Sequence, residues 1–463
     1  MITPYKFLNI RNKLSDRSAY FVVLARTEDD VVKAVLFAKK YSLPISVFST
    51  GHEFNDRNSG QGNNSLLVRT LCLRTSEIDL EETNAYGHAD GIIRLGAGMT
   101  WSTSKLGDIG VHQIAAEVER VVVSGHAGNV GIVGWSLGGG HGQLVGTYGM
   151  GVDQVLEVEM VTADGSKVIA NELGTTQIYT DGTKAFFDDS ELFWALRGGG
   201  AGTWGIITAM TIKLHSNRNS CVEDCFTQWT ANWIGSYAED GPELLEELIH
   251  SYLSWTGKAS KYWSSYALPY FVDDYHFGFI ISEALYVGTE KDDGDFNSFY
   301  ETFSVVRSDK QDTLISKTYN RFIDKMKDQT PESVDPKRKI EPMVSVLMNK
   351  TSVESPEAAK MLVNNWIPRC FLTGSPCVAT FLFMHTVSTG DEDDLYAGTA
   401  VSPAFRQAKM HVSALGYISL THEMSLEEKI EFAHNEIGPD FYRYTKLRMH
   451  PPLNPDPYDL VLF

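Results

Sequence analysis

Residues Val123–Gly142 read VSGHAGNVGIVGWSLGGGHG, and eight of these twenty positions are glycine. A glycine inside a helix or strand weakens the element by roughly 0.5–1 kcal/mol, so no regular element is expected through this stretch. Val130, Ile132, Val133, Trp135 and Leu137 make it too apolar for a flexible linker. The remaining use of such a segment is a buried backbone that approaches something large and flat. Missing side chains let peptide N–H groups reach a ligand, and glycine supplies positive φ where the chain turns back. A glycine-rich crossing inside an ordinary core is the plainer alternative.

At 463 residues the chain is too long for one ordinary core, so two domains are expected. The net charge of −19 is spread rather than blocked, which favours solubility and argues against a nucleic-acid partner, since that would need a basic face. No apolar run approaches the roughly 20 residues of a membrane span. Five cysteines, Cys72, Cys221, Cys225, Cys370 and Cys377, are too few and too irregular for a disulfide framework. No secretory leader follows Met1, so the chain reads as intracellular, although sequons at Asn63–Ser65 and Asn349–Thr351 fit export. No metal-ligand set is expected.

In chain order, Tyr20–Leu24 reads as a strand, and Thr27 to Asp30 as a capping signature ahead of the helical spacing of Val31–Tyr41. Leu43–Phe48 is a second strand, closing a β-α-β unit. The polar loop Ser49–Gly60 follows it, at the strand end where α/β folds bind ligands, and offers hydroxyls, His52 and Arg57 to a pyrophosphate. It is neither a Walker loop nor a GxGxxG turn. Gly91–Ala97 is a strand and Gly98–Trp101 opens a helix. Val152–Thr162 and Lys167–Ala170 pair as a hairpin across Ala163–Ser166. Asp189–Gly202 is a short helix ended by glycines, and Trp204–Leu214 an alternating strand.

Four segments in this order, TGHEFNDRNSG (50–60), GHAGNVGIVGWSLGGGHG (125–142), YGMGVDQVLEVEMVTADG (148–165) and ELFWALRGGGAGTWGI (191–206), resemble the FAD-linked oxidases of the berberine bridge enzyme-like group. That group lies within the vanillyl-alcohol oxidase / p-cresol methylhydroxylase (PCMH) superfamily. TGHE in place of GGHS is most similar to the fungal-type, 6-hydroxynicotine oxidase-like branch. The resemblance implies an α+β fold: a PCMH-type FAD-binding domain of two α/β subdomains over 1–215, then an antiparallel-sheet substrate domain covered by helices over 216–430.

By the same resemblance, His52 matches the histidine that bonds to the 8α carbon of the flavin, and Ser49, Thr50, Gly51 and Glu53 fall in the pyrophosphate loop. Gly125, Gly128, Asn129, Val130 and Gly131 line the isoalloxazine ring, and Val130 stands where relatives leave oxygen a path. Gly151, Val152 and Val158 lie along adenine and ribose. Where some relatives carry a second, cysteine anchor this chain has Ala127, so a single covalent link is implied. The second half reads as a helix over Leu244–Trp255 and aromatic strands over Tyr262–Tyr270, His276–Val287, Phe381–His385 and His411–Leu420. SPAFRQAKMHVSALGY (402–417) resembles a family stretch, which makes His385, His411 and Tyr417 candidates for contacts near the ring.

Residues 431–463 depart from the family pattern. Pro451, Pro452 and Pro455 forbid a regular helix where relatives have one, so the segment reads as atypical or truncated. The implied activity is hydride transfer from a small alcohol, sugar, amine or specialised metabolite to FAD, then to O2 giving H2O2. The alternative is a flavin-binding homologue without redox turnover, in a structural, ligand-binding or cyclase-like role.

Overall fold

A computed structural model describes residues 19, 21–53, 58, 60, 64–81, 84–102, 109–216, 226–236, 238–272, 276–288, 294–328, 343–366, 379–386 and 398–417. Arg57, four of the five cysteines and the segment 431–463 lie outside them; Cys72 is a free, exposed thiol. The chain divides into two compact units, Met1–Cys221 with Arg321–Arg338 and Tyr396–Ser402, and Val222–Asn320 with Lys339–Leu395 and Pro403–Phe463.

The first unit begins as its sequence dictates. The Thr27 Oγ1 accepts from the Asp30 N–H at 3.2 Å, and the Asp30 carboxylate accepts from the backbone N–H groups of Arg26 and Thr27 at 3.0 Å each. Those donors, Arg26 first, hold the Asp30 carboxyl below its usual range. With the cap closed, the helix Glu28–Tyr41 buries Val31, Ala34, Val35 and Ala38, one stripe at helical spacing, and ends on Ser42 in the left-handed region. The flanking strands Phe21–Leu24 and Ile45–Phe48 do not pair with each other. Strand Leu66–Arg69 inserts between them and pairs in parallel with both.

The same helix packs on the larger sheet of the unit. That sheet is antiparallel throughout, in the order Lys184–Phe187, Gly174–Ile178, Lys167–Asn171, Val155–Val161, Ile206–Lys213, Ile92–Gly96, Ser76–Asp79. The hairpin forms across Ala163–Ser166 as the sequence indicates, but its first strand starts at Val155 and not at Val152, because Gly151–Gln154 is a helical turn. Ile206–Lys213 was expected to alternate; instead every residue but Lys213 is buried, because a central strand is covered on both faces. The buried Thr208 is accommodated by hydrogen bonding: its hydroxyl donates to the Glu159 carbonyl at 3.3 Å. Large side chains such as Ile93, Leu95, Met160, Met210 and Ile212 fill the core, each worth about 1.5–3 kcal/mol of burial.

The second unit is one seven-stranded antiparallel sheet in the order Gln311–Tyr319, Phe226–Ser236, His276–Tyr286, Trp263–Phe271, Ala379–Thr386, Ala408–Tyr417, Met343–Asn349. The helix Gly241–Lys258, with Pro242 in its first turn, buries Leu244, Leu245, Leu248, Ile249 and Tyr252 in a core shared with Trp233, Phe277 and Phe279 of the sheet. The polar ends of those aromatics find partners: Trp233 Nε1 donates to the Val306 carbonyl at 3.0 Å, and the Tyr252 hydroxyl lies 2.8 Å from Ser265 Oγ.

Thr27→Ala removes the cap oxygen and leaves the Asp30 N–H only its 3.1 Å bond to the residue 27 carbonyl. A loss of about 1 kcal/mol from the unfolding free energy of the first unit is expected in urea titration; an unchanged midpoint would show that the cap contributes nothing.

Candidate functional site: a glycine cradle around Trp135

Strand Ile45–Phe48 delivers the loop that begins at Ser49, and three hydrogen bonds fix its start. The Ser49 hydroxyl donates to the Ala97 carbonyl at 3.4 Å, Arg69 donates to the Ser49 carbonyl at 3.3 Å, and the Gly131 N–H donates to Thr50 Oγ1 at 3.0 Å. The last of these ties the loop to the glycine stretch. Gly51 then turns the chain with φ +87°, and His52 and Glu53 follow, both half-buried.

A third segment joins from the strand Ile92–Gly96. Gly98–Trp101 was expected to open a helix; it is a turn whose Thr100 bridges to Gly131, with the following Ser102 N–H donating to the Gly128 carbonyl at 2.8 Å and the Ile132 N–H to the Met99 carbonyl at 3.2 Å. The helix comes later, at Val111–Glu117. A short helix also forms inside the glycine stretch itself, Ile132–Leu137, where none was expected. It is tolerated because Gly134 is the sole glycine within it, facing open space, while the other glycines flank it.

Those flanking glycines serve chain-to-chain approach. A Cβ at Gly125 would stand 2.7 Å from Trp135 Nε1, at Gly140 2.9 Å from Trp135 Cζ3, and at Gly151 2.5 Å from the same carbon. A Cβ at Gly128 would press on Ser102 at 2.5 Å, and one at Gly131 would come within 3.0 Å of Ser49 Oγ. The Trp135 indole is thus enclosed by glycines from three separate places in the chain. Gly151 and Val152 close the far side, their N–H groups donating to the Gly140 and Gly139 carbonyls at 2.7 and 3.1 Å.

Trp101 meets Trp135 edge-on, with ring centroids 5.1 Å apart. Its buried Nε1 has no hydrogen-bond partner among the described residues, and neither has the buried Oδ1 of Asn129. Behind the stretch, the Ser124 hydroxyl lies 2.9 Å from His112 Nε2 and 3.3 Å from the Gly125 carbonyl. Burial, reinforced by the Lys325 charge, presses the His112 pKa down to about 3. Burial and the neighbouring His126 press that of His141 to about 4.

All the residues expected around FAD fall in the first unit. Ser49, Thr50, Gly125, Gly128 and Gly131 are brought together by the bonds and contacts above, and Asn129 and Val130 lie between them in the chain. Val152 and Val158 are fully buried; Val158 is ladder-paired on both sides, with Met210 and Ala170, and its side chain belongs to the core. His385, His411 and Tyr417 belong to the second unit, on neighbouring strands where His385 opposes His411 and Tyr417 opposes Ala379. His411 is buried, its Nε2 3.2 Å from Ser413 Oγ. Ser102, Trp101 and His112 went unnoticed in the sequence, and Trp135 was read only as apolar content. Its place amid the glycines was the available signal.

These two depressed imidazoles contribute a pH dependence. Both are neutral in the folded chain well below 6.5, where the unfolded chain already takes up protons. Stability is therefore complete above pH 6.5 and declines as pH falls toward 4, by up to about 1.4 kcal/mol per unit for each group. The urea midpoint should be lower at pH 5 than at pH 7, and an unchanged midpoint would contradict buried, neutral histidines.

Comparison with known proteins agrees with this geometry. Residues 19–171 match the FAD binding domain family. The FAD-linked oxidoreductase ffsJ of Aspergillus flavipes is 32% identical over 251 residues, 51% of this chain and 37% of that protein. The chain spans less than half of the length of the curated relatives it matches. Among solved structures, the VAO-type flavoprotein MtVAO713 from Myceliophthora thermophila C1 superposes with a TM-score of 0.72 at 20% identity, covering 93% of this chain and 72% of that one. Berberine bridge enzyme from Eschscholzia californica gives 0.66 at 16%, covering 95% and 78%. At such identities these structures speak to fold, and the family model to cofactor class. Over residues 19–171 the chain matches an FAD-binding domain, and its α+β fold is that of the VAO-type and berberine bridge enzyme-like flavoproteins.

Proposed function

We propose that the chain is an FAD-dependent oxidoreductase that holds its flavin on the glycine cradle through a single covalent bond to His52. The observation that carries this reading is the hydrogen bond from the Gly131 N–H to Thr50 Oγ1, which draws the His52 loop onto the glycine stretch. The residues present fit the group. Asn129 offers a buried acceptor with no partner among the described residues, and a flavin ring carries an N–H of the kind it lacks. Ser49 and Thr50 supply hydroxyls beside the loop. Ala127 leaves no thiol for a second link.

Bound FAD supplies two-electron redox chemistry. This chain's share is to position the ring and to shield it from water. In the proposed reaction a C–H bond and the neighbouring O–H or N–H bond of a small alcohol, sugar, amine or specialised metabolite are broken. The hydride and the proton removed are finally carried by O2, which becomes H2O2, and the substrate leaves as carbonyl or imine.

Acid precipitation of the purified protein tests the attachment. A yellow pellet from the wild type and a colourless one from His52→Ala are expected, with peroxide released on a panel of alcohols and amines. Flavin recovered wholly in the supernatant of the wild type would overturn the covalent link, and a colourless protein would overturn the oxidoreductase reading.

A further inference from the structure

A second cluster with chemistry of its own lies between the strands Ser76–Asp79 and Ile92–Gly96, in the turn 84–91. The buried Asn84 side chain builds this turn: its Nδ2 donates to the Glu81 and His88 carbonyls at 2.8 and 2.7 Å, and its Oδ1 accepts from the Tyr86 and His88 N–H groups, each at 3.2 Å. The Gly91 N–H donates to the His88 carbonyl at 3.0 Å, and Arg120 Nε donates to the Asp90 carbonyl at 2.7 Å. The backbone around His88 and Asp90 is thereby held from both sides. His215, in the short strand His215–Ser216, meets this turn with its ring centroid 5.5 Å from that of His88. One ring nitrogen from each histidine and one Asp90 carboxylate oxygen all lie within 4.8 Å of one another. We propose that His88, Asp90 and His215 form a binding site for a divalent transition-metal ion of the zinc class.

Hydrogen bonds set the tautomers of both imidazoles. His88 Nε2 lies 2.6 Å from the Leu214 carbonyl, which can only accept, so Nε2 carries the proton and Nδ1 keeps its lone pair. His215 Nε2 lies 2.6 Å from Gln154 Oε1. Gln154 is oriented by its own Nε2, which donates to the Tyr148 and Met150 carbonyls at 2.8 and 3.1 Å, so His215 Nε2 is again the donor. Each imidazole has one nitrogen tied to a carbonyl oxygen and a lone pair left on the other, the arrangement that orients metal-ligating histidines. Tyr148 stacks on His215 at 4.2 Å and 25°, which fixes the plane of the ring.

Ligand type selects the ion. Two imidazoles and a carboxylate suit zinc, cobalt or nickel, whereas magnesium and calcium want shells of oxygen. Bonds of about 2.0–2.1 Å in tetrahedral geometry put donors roughly 3.4 Å apart, so the three groups must close by about an ångström. The Asp90 carboxylate, on a half-exposed residue and in no ion pair among the described residues, can supply that movement, and with His88 it gives the ion a route from solvent. Water completes the shell. A bound ion pins the turn 84–91 to Leu214–His215 and, through Gln154, to the Tyr148–Met150 edge of the cradle.

The test is calorimetric titration of the purified full-length chain, stripped with chelator, with Zn2+ and with Mg2+. Expected are one Zn2+ per chain, no Mg2+ uptake, a rise in Tm with Zn2+, and affinity at least about tenfold weaker in Asp90→Asn and His88→Ala. Gln154→Leu, which touches no ion, should weaken binding about tenfold or more through His215 alone. Absence of saturable Zn2+ uptake by the wild type would overturn the proposal, as would equal affinity in Asp90→Asn, a surface change that leaves the fold intact if His88→Ala does not.

Discussion

The indole of Trp135 leaves no space for a Cβ at Gly125, Gly140 or Gly151, and the cradle follows from that exclusion. Three turns of one continuous stretch, at Gly125, Gly140 and Gly151, converge on one flat side chain, and each gives up its own side chain to do so. Convergence places Gly128 against Ser102 and Gly131 against Ser49 and Thr50, so the end of the first β-α-β unit is drawn to the same place. Any side chain restored at these glycines must displace Trp135 or push neighbouring segments away from each other, and in a close-packed interior neither is cheap. The sparse side chains leave polar atoms such as Asn129 Oδ1 buried and without a partner among the described residues.

Local chemistry was legible in the sequence. The Thr27–Asp30 cap, the helix stripe Val31–Ala38 and the Val155–Asn171 hairpin rest on residues within a few positions of each other, and each forms as its pattern indicates. The glycine stretch was legible as a crossing that needs close approach. What it approaches was not, because Gly125, Gly140 and Gly151 meet Trp135 through tertiary packing that spacing does not encode. The insertion of Leu66–Arg69 between two strands that look like neighbours, and the burial of Ile206–Lys213 on both faces, are likewise decided by partners remote in sequence. His88 and His215 are separated by a whole sheet's worth of chain, and no motif joins them.

The two units divide the work of folding differently. In the first, a parallel three-stranded sheet and an antiparallel seven-stranded sheet share one capped helix, and the loops at strand ends build the cradle. In the second, a wholly antiparallel sheet is stabilised by large aromatics beneath the helix Gly241–Lys258, with Trp233 and Tyr252 satisfied at their polar ends. Among the described residues no helix is long and apolar enough to cross a membrane. The match to an FAD-binding domain, residues 19–171, falls wholly within the first unit, which also holds the loop from Ser49 and the glycine stretch.

That dependence is measured most directly by the flavin-to-protein ratio of the purified wild type beside Thr50→Val, a substitution of equal volume that deletes the acceptor of the Gly131 N–H. A ratio near one in the wild type, falling severalfold in Thr50→Val with the far-UV spectrum unchanged, is the result expected if the cradle closes through this bond. A wild type that takes up no FAD, or a Thr50→Val protein as fully loaded as its parent, would contradict it.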